Sequence, residues 1–129
     1  MADSTLPENV RRLLAEHITS VEQLEVLLLL ARSVERTWTA EAVSEELRTS
    51  VTSARARLED LERRGFLLST AEGCRFEPAA AHTREAVAAL AEAYAERRYT
   101  VIELIFSKPI DHLRVYANAF RFRKDENDG

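Results

Sequence analysis

Apolar residues recur at helical spacing over most of the chain, and one short stretch in the middle changes to a strand-like rhythm. Val10, Leu13, Leu14 and Ile18 fall on one helical face, with Thr5 and Glu8 at capping-box spacing and Pro7 in the first turn. A second helix opens at Thr19 or Ser20, each followed three residues later by Glu22 or Gln23, and its stripe is Leu24, Leu27, Leu28 and Ala31. Val26, Leu29 and Leu30 widen that stripe until most of the circumference is apolar, which predicts a central helix with neighbours on several sides. Ser33 to Thr37 breaks the pattern. Thr39 then serves as an N-cap, with Glu41 in the first turn and Trp38 placed to staple onto Val43, for a short helix running to about Leu47. After a turn of about three residues, Thr49 or Ser50 caps a helix whose buried positions are Val51, Ala54, Leu58 and Leu61, with Gly65 in the C′ position.

The rhythm now changes. Phe66 to Thr70 and Cys74 to Glu77 read as two short strands joined through Ala71-Glu72-Gly73, where Gly73 supplies positive φ, and Pro78 closes the second. A single helix is expected from His82 to Phe106, with Val87, Leu90, Tyr94, Val101 and Ile105 roughly on one face. Pro109 interrupts it. A last helix carries Ile110, Leu113, Tyr116, Ala117 and Phe120 and decays into a mixed-charge tail expected to fray over residues 123–129.

Composition narrows the class. With 129 residues, 46% of them apolar, and only three Gly and three Pro, the chain is expected to form one domain with a real core, not a many-turned β fold or a disordered tract. The formal charge of −4 offers no polycationic surface, so any nucleic-acid contact must be local. One cysteine, Cys74, and a polar start at Met1 to Thr5 point to the cytoplasm. No apolar run approaches the ~20 residues of a membrane span. Sixteen of the 18 basic residues are Arg, a bias we read as bacterial.

The order helix, short extended piece, helix, tight turn, helix, hairpin is that of a winged helix-turn-helix. From Leu24 to Pro78 the chain resembles the MarR-type winged-helix regulators: LLLLARS, TWTAEAVSEEL, SVTSARARLEDLERRGFL and the hairpin STAEGCRFEP. The most specific phrase is Leu58-Glu59-Asp60-Leu61-Glu62-Arg63-Arg64-Gly65-Phe66. Two leucines bury the helix, the glycine turns the chain, and the phenylalanine begins the wing. The expected architecture is therefore mainly α with a small β-hairpin: a winged core at 19–80, an added N-terminal helix, and C-terminal helices at 81–122 available for dimerisation.

The resemblance implies a DNA-binding transcriptional regulator that inserts the N-terminal half of helix 50–64 into the major groove and uses the wing 66–77 beside it. The DNA-binding candidates are Thr49, Ser50, Thr52, Ser53, Arg55 and Arg57 on that helix and Arg75 on the wing. Hydroxyls beside a helix N-terminus suit phosphates and bases, and the two arginines flank the face. Helical geometry puts Thr49, Thr52, Ala56, Glu59, Asp60 and Arg63 outermost. Charge argues the other way: between Ile18 and Ala80 eight Arg face eleven acids, a net of −3, where DNA-binding winged helices usually carry the opposite sign. The alternative is a winged-helix adaptor that binds a protein.

A palindromic operator requires two recognition helices about one DNA turn apart, so a homodimer is expected, built on Val87, Leu90, Tyr94, Val101, Ile105, Leu113, Tyr116 and Phe120. The other reading of those residues is that they fold back onto the Val10 to Ile18 helix. His17, His82 and His112 are scattered, and only His82 with Glu85 has metal-usable spacing, so no metal and no cofactor are expected. Cys74 reads as a small buried hydrophobe, and Trp38, Phe66 and Phe76 as core plugs in preference to a base-stacking platform. No phosphate loop or nucleophile elbow is present, so no enzyme is expected.

Overall fold

The computed structural model of the chain describes residues 6–107. The Thr5 cap, the helix over Ile110 to Phe120 with Leu113, Tyr116 and Phe120, and the tail at 123–129 lie outside the described residues.

The described chain forms α1 (Glu8–His17), α2 (Val21–Arg32), α3 (Ala40–Leu47), α4 (Val51–Arg63), a hairpin of β1 (Leu67–Thr70) and β2 (Gly73–Phe76), then α5 (Ala81–Glu96) and α6 (Arg98–Phe106). It is mainly helical with one small antiparallel hairpin, the arrangement of a winged helix with helices added at both ends. Local chemistry sets most of the starts. Ser20, Thr39 and Ser50 each accept a hydrogen bond from the backbone N–H three residues on, capping α2, α3 and α4. Arg48 turns the chain between α3 and α4 in the left-handed region (φ 59°), and the Ser44 hydroxyl donates to the Thr49 carbonyl across that turn. Gly65, with φ 90°, lets α4 stop and the hairpin begin.

Helix α2 is the centre of the fold. Gln23, Leu24 and Val26 to Leu30 are all buried, and the helix touches α3, α4, α5 and β2. Ala54, Leu58 and Leu61 of α4 bury against this core together with Phe66 and Phe76, so both phenylalanines are plugs and neither is a stacking surface. The His17 ring meets Phe66 edge-on at 5.3 Å.

Two expectations are corrected here. Gly73 is not a loop residue but the first of β2, because the loop is only Ala71-Glu72. It has φ 141°, and a β-carbon there would lie 2.3 Å from the Trp38 carbonyl oxygen. The close neighbour exists because Trp38 and Cys74 exchange backbone hydrogen bonds of 2.7 and 2.8 Å, which adds a one-residue third strand to the hairpin. Nor is His82 to Phe106 one helix. The backbone leaves helical geometry at Arg97 (φ −134°, ψ 56°), and α6 restarts at once. That bend lets α6 lie on both α5 and α1 and bury Val101 and Ile105.

Candidate nucleic-acid interface

The seven residues expected to meet DNA divide according to what their own fold does with them. Ser50 is exposed, and its side-chain oxygen caps α4. Thr52 is exposed on the outer face of the helix. Thr49, Ser53 and Arg57 turn sideways to a residue not expected at the site, Glu22 in the first turn of α2. The Thr49 hydroxyl donates to one carboxylate oxygen. Ser53 Oγ (2.6 Å) and Arg57 Nε (2.9 Å) donate to the other. These contacts hold the Glu22 carboxyl down at about pKa 2; the hydrogen bond from Ser53 contributes most, then Thr49, then Arg57.

One turn further along the same flank lies a second polar contact. Gln23, fully buried, donates from Nε2 to Asp60 Oδ2 at 2.7 Å, while its Oε1 accepts the Thr19 N–H at 2.6 Å. Asp60 also accepts Arg64 Nε at 3.0 Å and Arg63 at 3.3 Å. Thr49 and Asp60, expected among the outermost positions, are therefore half-buried against α2. The reason is the crossing of α2, whose N-terminal turn covers this flank of α4. Thr52, Ala56, Glu59 and Arg63 do remain exposed, so the outer face itself is as expected.

The opposite flank belongs to α3. There Arg55 approaches Glu41 at 3.5 Å, with both side chains more than half exposed. On the hairpin, Arg75 stands opposite Leu68 and donates to Glu77 at 2.8 Å. Each of the three arginines expected to touch DNA thus has a carboxylate of its own chain beside it. Arg48, at the turn and exposed, has no ion pair among the described residues and was not among the candidates. Its left-handed backbone (φ 59°) is a feature of the fold that no side-chain pattern in the sequence encodes. In the sequence Glu22 stands out only as the capping-box partner of Thr19, three residues before it.

Cys74 is half-buried and not fully buried as expected; burial pushes its thiol upward, away from thiolate chemistry. The Arg36 guanidinium lies 3.6 Å from the centre of the Trp38 ring. Between α1 and the start of α5 runs an open groove of about 620 Å³, whose lining includes Arg12, His17, Arg64, Phe66 and His82. No group of three metal-ligating side chains occurs among the described residues, and none of the described helices is long and apolar enough to cross a membrane.

Of the dimerisation candidates, Val87, Leu90, Val101 and Ile105 are buried within the single chain, and α5 and α6 both pack on α1. Tyr94 is half-buried, its hydroxyl donating to Glu25 at 3.0 Å beneath the Arg98 guanidinium. The large apolar side chains that α6 leaves exposed are Tyr99, Leu104 and Phe106. Comparison with models of known protein families, with curated proteins and with solved structures finds no match to this chain.

Proposed function

We propose that the protein is a DNA-binding transcriptional regulator of the winged-helix kind, close in plan to the MarR-type proteins that residues 24–78 resemble. The observation that supports it best is the run Arg48, Ser50, Thr52 and Arg55, all exposed around the entering end of α4. Small hydroxyls and arginines at a helix N-terminus suit a phosphate backbone and a guanine edge. Arg48 and Arg55 would supply the charge and Thr52 a base or phosphate contact. Arg75 would act from the wing on any sequence alike.

Selection from a random duplex pool with purified protein tests this directly. The expected result is an enriched sequence bound more tightly at 50 than at 200 mM salt, with Arg55→Ala costing about 1–3 kcal/mol. An unenriched pool together with salt-independent binding would end the regulator reading.

A second reading, a winged-helix adaptor for a basic protein surface, draws on the pairing of Arg55, Arg57 and Arg75 with Glu41, Glu22 and Glu77. Glu59 and Glu72, both exposed, would then be the residues to reverse in charge. For either role we propose a homodimer. Its most suitable surface is α6, where Tyr99 and Phe106 stand seven residues apart on one face and are 88% and 66% exposed. Light scattering at tens of micromolar protein that returned one protomer mass would rule it out.

A further inference from the structure

We propose that Thr49, Ser53 and Arg57 form a backbone-phosphate site occupied in the free protein by the Glu22 carboxylate, and that binding a duplex exchanges one anion for the other. The inference rests on the DNA-binding reading above. Two hydroxyls and a guanidinium, one from the turn before the α4 cap and two from the first two turns of the helix, converge on a single anion. That donor set suits a phosphate oxygen as well as a carboxylate. It sits at the N-terminal half of α4, the part of a recognition helix that approaches DNA.

Geometry also gives the carboxylate somewhere to go. Glu22 stands in the first turn of α2, behind the Ser20 cap, and its side chain is 28% exposed. Rotated into water it keeps the favourable field of a helix N-terminus and leaves no buried charge without a partner. If it stayed, a phosphate arriving at Arg57 would meet a second negative charge at contact distance, so the two occupants exclude each other. The Arg55–Glu41 pair differs in kind: one contact at 3.5 Å, with no hydroxyl donating, makes no such cradle.

The test measures binding of a selected duplex and of a scrambled one, from 50 to 200 mM salt, by wild type, E22Q, R57A and the double variant, each checked for folding by thermal melting. Removing the resident charge in E22Q should tighten binding to both duplexes about three- to tenfold and steepen the salt slope by about 0.9, the value of one added phosphate contact. In the R57A background the same change should give less than about a twofold gain. Equal gains in both backgrounds would reduce Glu22 to a distant charge and overturn the proposal. Unchanged or weaker binding by E22Q, with wild type still binding, would also overturn it while leaving the regulator reading intact. If none of the four proteins binds at 50 mM salt, the regulator reading falls and takes this one with it. Should E22Q melt below the assay temperature, E22A, which also removes the charge, and its double variant with R57A are compared in the same way, with the same expected gains.

Discussion

The two flanks of α4 carry the same nominal interaction and use it differently. Toward α3, Arg55 and Glu41 meet at 3.5 Å with 52% and 68% of their side chains exposed. Toward α2, Arg57 and Glu22 meet at 2.9 Å with 34% and 28% exposed, two hydroxyls complete the carboxylate, and the Gln23–Asp60–Arg64 chain continues the contact. An exposed pair in high dielectric gains little beyond the entropy of holding two long side chains together. A half-buried carboxylate with three donors is held by charge-assisted hydrogen bonds that water competes for poorly. Polar contacts thereby tie one flank of the helix to α2, while on the other α3 packs through the apolar core and the ion pair adds only surface charge.

Breaking the fixed flank at its most buried point should have the largest effect. Gln23→Ala removes the partner of the Thr19 N–H and one of the Asp60 donors and leaves a void. We expect a loss of about 2–3 kcal/mol in a urea denaturation curve. Glu22→Ala comes next, at about 1–2 kcal/mol once solvent screening is allowed for. This contribution has a definite pH dependence. The carboxyl is lowered from its ordinary 4.5 to about 2 in the folded chain, so its stabilisation is complete above about pH 4.5 and fades as pH falls toward 2. The gap between wild type and E22Q should therefore close over that interval, and a constant gap would mean that charge plays no part.

At the turn between the flanks, Arg48→Gly should raise stability by about 1 kcal/mol, because glycine takes the left-handed conformation without a β-carbon clash. The same change should weaken duplex binding if Arg48 faces phosphate. The smallest effect is expected on the α3 side, where Glu41→Ala should shift stability by less than about 0.5 kcal/mol. A loss there as large as that of Glu22→Ala would erase the distinction between the flanks.

Much of this architecture was legible in the chain. The caps at Ser20, Thr39 and Ser50, the all-round apolar α2, the three-residue turn and the glycine after α4 all act within about four residues of one another. The hairpin was legible as well, though not the reason for its second glycine. Gly73 reads like a loop residue, but the Trp38 backbone, 35 positions earlier, is what leaves no room for a side chain. The break at Arg97 carries no proline or glycine to announce it, and follows from how α6 meets α1.

The candidate interface shows where local reading ends. Which residue types crowd the entering half of α4 is a property of the sequence, since one helical period places them. Which of them face solvent depends on a helix whose contacts come from 27 to 35 residues away. Periodicity defines the faces of a helix relative to one another, and the angle at which a neighbour crosses decides which flank is covered. That angle is set by packing of Leu24, Leu27, Ala54, Leu58 and Leu61 in the shared core. The sequence by itself determined the elements, their caps and the outer stripe of α4; only tertiary packing decided that Thr49, Ser53, Arg57 and Asp60 would turn to α2, because burial satisfies polar groups with whatever donor or acceptor the core brings beside them.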